Sequence, residues 1–331
     1  MANYRDIKGF QVESKSADPT TGITGDIYYN TATGQYKALT AGAGSWASVS
    51  AMNTARFGIA DSGSSGTTTA TLCMGGDVMP TEPRMVTNTE DWNGASWTEK
   101  SELNNARGQA GGTGTPSAAL CFGGHGPPPS FSYLSANESW NGASWTASTA
   151  LSSAKYAGGA AGIQTATIYF AGYDGSHLDT TQSWNGASWT EVNELNTARS
   201  SIGGAGEFTN AMCVGGNPAA TTTESWNGTS WSNMTGINLA RSNCGVTGNS
   251  TLGLVFGGSD PSPPGLTANT EYWDGTSWTE QGVLGQARNN MGEGGSSSAA
   301  ICGGGYDNPT VAGAAEEFSV STFELKTVTT S

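Results

Sequence analysis

The chain has 331 residues, only 12% of them charged, and a formal net charge of −14. An acidic surface repels phosphate backbones and argues against nucleic acid as a partner, and no apolar run approaches the ~20 residues of a membrane-spanning helix. The 11 Trp, 10 Tyr and 9 Phe exclude the charge-rich, aromatic-poor signature of disorder, and 49 Gly among regularly spaced aromatics point to an all-β fold.

In chain order, the opening M-A-N-Y-R-D-I-K-G-F lacks the basic-then-apolar layout of a signal peptide. Synthesis in a cytoplasm without general secretion is therefore expected. Residues Phe10 to Ser50 read as four short strands, G-F-Q-V-E-S, D-I-Y-Y-N-T, Q-Y-K-A-L and S-W-A-S-V. From Ala51 onward the chain repeats itself. W-N-G-A-S-W occurs at Trp92–Trp97, Trp140–Trp145 and Trp184–Trp189, with W-N-G-T-S-W at Trp226–Trp231 and W-D-G-T-S-W at Trp273–Trp278. A second marker follows each of them: N-N-A-R ending at Arg107, S-S-A-K at Lys155, N-T-A-R at Arg199, N-L-A-R at Arg241 and G-Q-A-R at Arg288; Trp46 is likewise followed by N-T-A-R at Arg56. A third is a glycine pair after a short apolar run, at Gly75-Gly76, Gly123-Gly124, Gly215-Gly216, Gly257-Gly258 and Gly304-Gly305, with Ala171-Gly172 as the imperfect copy.

The Trp residues 46, 97, 145, 189, 231 and 278 recur every 42 to 51 residues, room for four short strands and their turns. No stretch sustains the 3.6-residue apolar period of helical repeats. Within Asn196 to Met234, a small-residue strand follows Arg199, N-A-M-C-V forms the second strand, T-E-S-W the third, and S-W-S-N-M the fourth. Asn-Gly is a strong hairpin signal, and it brings the two Trp together as a cross-strand pair. A sheet this small buries its faces only by radial stacking, which makes the expected fold a β-propeller. Blades are expected at about 51–101, 102–149, 150–193, 194–235, 236–282 and 283–331. The last degrades to E-E-F-S-V-S-T-F, with Phe318 and Phe323 at the Trp–Trp spacing and F-E-L-K-T-V as its fourth strand. Residues 1–50 form either a divergent seventh blade, the preferred reading, or a separate attachment hairpin beside a six-bladed ring.

Together, the glycine pairs, the A-R step and the terminal Trp resemble the kelch family of propellers from Ala51 to about Val328; the W-N-G-x-S-W turn and the high Gly/Ser/Thr content depart from its usual pattern. I-Y-Y-N-T-A-T-G-Q-Y-K (Ile27–Lys37) resembles a hairpin near the start of tail-fibre and other virion proteins of bacteriophages, notably marine ones, where it often precedes such repeats.

The chemistry-bearing residues favour a scaffold. Cys73, Cys121, Cys213 and Cys302 precede their glycine pairs at one repeat position, which Tyr169 and Val255 fill elsewhere; that mixture marks an apolar interior, without metal-ligand spacing. His125 and His177, with Asp174 and Asp179 nearby, read as solvated loop residues. The two-Tyr, two-His copper site of kelch-like galactose oxidases has no position-by-position match, and Thr270–Trp278 has the wrong spacing for the sialidase box. No nucleophile elbow, zincin motif or P-loop is present. No catalysis, cofactor or metal is expected. Arg56, Arg107, Arg199, Arg241 and Arg288 open their blades, and Glu90, Glu138, Glu224, Glu271 and Glu316 sit two residues before the aromatic of strand three. Lys155 and Gln182 are joint exceptions in one blade, as expected if the two positions touch.

In a propeller the strand two–three loops and the blade-to-blade connections emerge on one face. The former vary most between repeats, and variable loops on a rigid scaffold are where binding resides; their Pro residues lower its ordering cost. Met79, Met85, Phe131, Tyr133, Tyr173, His177 and Tyr306 are the candidate contact side chains. The resemblance implies a non-enzymatic virion protein, part of a tail fibre, tail or capsid, whose loops meet another virion protein or a host-surface glycan or receptor. A stand-alone bacterial lectin or interaction module, and a carbohydrate-active enzyme, are the alternatives.

Overall fold

A computed structural model describes residues 12–18, 27–40, 43–63, 68–218, 220–261, 264–320 and 324–328. Phe10 and Phe323, used in the strand readings above, lie outside the described residues. Every regular element described is a β-strand. The chain forms two compact units, Trp46–Ser319, and Met1–Ser45 with Val320–Ser331.

Trp46–Ser319 is a β-propeller. Blade two shows the plan: Gly111–Thr115, Ala118–Phe122, Asn137–Trp140 and Trp145–Ser148 form an antiparallel meander. Inner strands are rich in Gly and Ala because neighbouring blades converge there; a Cβ on Gly112 would stand 2.2 Å from the Asp61 carbonyl oxygen of blade one. Second strands such as T-L-C-M and N-A-M-C-V are buried at nearly every position, since a blade is covered on both faces. The core therefore lies in the seams. One cluster joins Leu72 and Met74 of blade one to Trp140 and Trp145 of blade two, and another joins Phe170 of blade three to Trp226 and Trp231 of blade four.

The outer hairpins follow directly from W-N-G-x-S-W. Asn93 Oδ1 accepts from the backbone N–H groups of Ala95 and Ser96, both at 3.0 Å, a side-chain-closed turn. Trp92 and Trp97 are cross-strand partners with ring centroids 5.3 Å apart. Asn141, Asn185, Asn227 and Asp274 close the other turns in the same way.

Two circuits of backbone hydrogen bonds count the blades. In the first, Gln109 N–H donates to Gly58 O, Ala157 to Gln109, Ser201 to Ala157, Asn243 to Ser201, Asn290 to Asn243 and Gly58 back to Asn290, all at 2.7–3.0 Å. Each of these residues has a positive φ between 49° and 61°. For a residue with a Cβ that conformation costs about 1–2 kcal/mol, offset here by the bond it permits. In the second, the second residue of each glycine pair donates to the Arg or Lys carbonyl of the next blade: Gly76 to Arg107, Gly124 to Lys155, Gly172 to Arg199, Gly216 to Arg241, Gly258 to Arg288 and Gly305 to Arg56. Both circuits close after six blades.

Among the described residues there are thus seven four-stranded sheets, of which six form the ring. Blade six consists of Gly292–Gly295, Ala299–Gly303, Ala315–Val320 and, as its fourth strand, Gly44–Val49. This corrects two expectations: S-W-A-S-V belongs to blade six, and Glu324–Thr327, from the expected C-terminal strand, does not. The reason is packing. Trp46 sits 5.3 Å from the ring of Phe318 and 4.8 Å from that of Phe256, and its indole N–H donates to Thr270 Oγ1 at 2.9 Å, as Trp145 does to Thr89 and Trp231 to Thr181.

The seventh sheet, in the other unit, orders its strands Glu13–Lys15, Ile27–Asn30, Gln35–Thr40 and Glu324–Thr327. Its first pair is parallel, and the expected Ile27–Lys37 hairpin is antiparallel with Tyr29 opposite Tyr36. The boundary between the units falls at Ser45 and Trp46, five residues before the expected one.

Candidate binding face

The Arg that opens each blade but the third is turned inward. Arg107 Nη2 lies 2.7 Å from Glu138 Oε1, Arg56 Nη1 2.9 Å from Glu90, Arg199 Nη2 2.9 Å from Glu224 and Arg241 Nη2 2.5 Å from Glu271; Arg288 pairs likewise with Glu316. All are buried, and each pair lies within one blade. Every partner group is satisfied in blade two: Glu138 Oε2 accepts from Asn104 N at 2.8 Å and from Asn104 Nδ2 at 2.7 Å, and Arg107 Nη1 donates to Gly123 O and Ala136 O. Asn104 Nδ2 also reaches the Trp145 carbonyl at 3.2 Å. The N-x-A-R step is therefore one module, in which Asn ties the fourth strand to the Glu and Arg ties the same Glu to the glycine pair.

Blade three replaces the module throughout. Gln182 accepts from Ser152 N at 3.2 Å, and Tyr169 stands where four blades have Cys. The Lys155 ammonium lies 4.6 Å from the Tyr169 ring centroid and 3.2 Å from Thr180 Oγ1. Burial, only partly opposed by the more distant Glu191 and Asp174 carboxylates, pushes the Lys155 pKa down to about 7.

Cys73, Cys121, Cys213 and Cys302 pair across to the Glu of the third strand in each blade. Burial raises the thiols of Cys121, Cys213 and Cys302 to about 12, making them poor nucleophiles. Near the axis, Asp61 and Glu293 occupy equivalent inner-strand positions in neighbouring blades. Asp61 Oδ2 accepts from Glu293 N at 3.2 Å, and Glu293 Oε2 accepts from Val246 N at 2.9 Å. Burial raises both carboxyls. Among the described residues, no three His, Cys, Asp or Glu converge as a metal site requires.

The strand two–three loops pair with the segments leading into the inner strands. Isolated bridges join Phe57 to Asp77, Gly108 to His125, Tyr156 to Tyr173, Ser200 to Asn217, Ser242 to Ser259 and Asn289 to Tyr306. The first hydrogen-bond circuit lies one residue beyond these positions, so loops and axis open on the same end of the ring. Aromatic rings gather over blades two and three. Tyr133 is 5.3 Å from Tyr156 and 6.3 Å from Tyr173; Tyr173 is 5.5 Å from His177; His125 is 5.2 Å from Tyr156 and 6.0 Å from Phe131. Gln109, His125, Ser130, Phe131, Tyr133 and Tyr156 line a depression of about 610 Å³. Burial lowers the His125 pKa, which favours the neutral ring.

Four of the seven sequence-identified contact residues, Phe131, Tyr133, Tyr173 and His177, therefore meet. Met79 lines a different depression of about 910 Å³ with Pro80, Pro83 and Val311, and Tyr306 packs against Phe57 at 5.7 Å. Met85 is only 1% exposed, and a Cβ on Gly108 would meet its sulfur at 2.8 Å; it supports the face from beneath rather than presenting to it. Sequence reasoning missed Tyr156 and Gln109, and assigned His125 to solvent. Tyr156 directly follows the A-K step, where three other blades have Gly or Ser, and that local departure was the available signal. No protein-family model matches this chain, and no curated protein matches it.

Proposed function

We propose that the chain is a non-enzymatic binding protein of a bacteriophage virion, part of a tail fibre, tail or capsid, whose loop face contacts another virion protein or a host-surface receptor. The observation that carries the binding role is the division of labour in the ring. Its repeated residues are consumed by internal pairs and turns, while the departures from the repeat collect on one end as aromatic and Pro-rich loops. The virion assignment is supported by the Ile27–Lys37 segment, which resembles a hairpin of phage virion proteins. Mass spectrometry of purified virions is the test: peptides of this chain at structural copy number are expected, and their absence from virions of a phage encoding it would overturn the assignment.

A further inference from the structure

We infer that the depression over blades two and three is a binding site for an uncharged saccharide, held by stacking on Phe131 and Tyr133 and by hydrogen bonds from Gln109, His125 and the Tyr156 hydroxyl. The inference rests on the loop face being a binding surface and specifies what one part of it takes.

The repeat supplies its own control. At the place of Tyr156 the other blades carry Phe57, Gly108, Ser200, Ser242 and Asn289; at that of Tyr173 they carry Asp77, His125, Asn217, Ser259 and Tyr306. Most are small or polar, and the ring closes through all of them alike, so the fold itself does not call for an aromatic cluster. Phe131 and Tyr133 are each 39% exposed, and their rings stand with that of Tyr156 along one depression. Phe131 adopts φ 43°, an outlier for a bulky side chain; strain of this kind collects at ligand contacts.

The chemistry of the lining selects the ligand. Aromatic faces match the C–H faces of a pyranose, and the Gln109 amide, Ser130 hydroxyl and Tyr hydroxyls match its hydroxyls. The volume falls in the range of small-ligand clefts, about 300–1,000 Å³. Among the described residues an anionic sugar finds no unpaired cation at this depression: Arg84, 5.6 Å from the Phe131 ring, is paired with Asp77 at 2.5 Å, and the chain is acidic.

The test is saturation-transfer NMR on the purified full-length chain, with uncharged methyl hexosides and hexose trisaccharides as probes and N-acetylneuraminic acid as the anionic comparison. Transfer to the C–H protons of at least one uncharged sugar is expected, weakened about tenfold or more by Phe131→Ala with Tyr133→Ala and unchanged by Ile163→Ala, an exposed residue at the turn between the first two strands of blade three. Should the double variant melt early, Phe131→Leu, which keeps apolar volume without the ring face, is expected to weaken the transfer. Any of three results overturns the inference: no transfer to any uncharged sugar, which would leave a protein partner for this surface; equal transfer in the ring-deleted variants; or a preference for the anionic sugar. Detection in virions without saccharide transfer would overturn this inference alone, and transfer in a chain absent from virions would overturn only the virion reading.

Discussion

At the scale of single residues, the Arg–Glu module shows why a small alphabet suffices for so large a ring. Arg199 and Glu224 are both fully buried, and removing one partner leaves the other charge buried and unpaired. Arg199→Ala and Glu224→Ala are each expected to cost about 3–5 kcal/mol, and a double-mutant cycle by urea unfolding is expected to show strong coupling; coupling near zero would contradict the geometry. Lys155 behaves differently because no carboxylate is paired with it as in the other blades. Its pKa falls to about 7 in the folded chain from about 10.4 unfolded, so between those values the unfolded state binds the extra proton and stability rises with pH. The destabilisation is complete below the folded value. Lys155→Met is therefore expected to raise Tm by several degrees at pH 6 and to change it little above pH 10, checked by thermal unfolding across that range.

Among the elements, the glycine pair is the joint between blades. Gly215 has φ +64°, and a Cβ there would stand 2.4 Å from the Arg241 carbonyl oxygen of the next blade. Gly215→Ala is expected to destabilise by about 1–3 kcal/mol, read from the denaturation midpoint, because the contact is backbone and cannot step aside. An unchanged midpoint would show that the blade seam is looser than the hydrogen-bond circuit implies. Strand identity, the outer Trp hairpins and the Arg–Glu positions were all legible beforehand, since each is written as a short motif copied from blade to blade. The aromatic depression was legible only in part. Phe131 and Tyr133 lie in an evidently variable loop, whereas Tyr156 and Gln109 reach the site from the connection between blades, and their convergence depends on bridges between segments that no short motif records.

For the whole molecule, the decisive element is Gly44–Val49, which completes blade six. Trp46→Ala removes a ring packed between Phe256 and Phe318 together with its bond to Thr270, and is expected to cost about 3 kcal/mol. In urea the six blades are expected to unfold at a lower midpoint, and an unchanged midpoint would mean that this strand does not close the ring. The rhythm of Trp46 followed by N-T-A-R at Arg56 matches that of Trp97 followed by N-N-A-R at Arg107, so the sequence already marked Trp46 as the end of a blade. It did not say of which one. Reading onward along the chain attached it to the three strands before it, whereas the structure pairs it with strands some 270 residues away.

By itself the sequence determined the all-β class, the four-stranded blade, the turn chemistry and the internal pairing of charge. These depend on interactions inside a unit of roughly 45 residues, repeated until its pattern is unmistakable. Only the tertiary structure decided the number of blades in the ring, the strand that closes it and the residues that share the binding face. Closure is a bond between the two ends of the repeat array, set by hydrogen bonds from Gly305 to Arg56 and from Gly58 to Asn290, and a repeat that is the same at every step carries no local mark of where the circle must end.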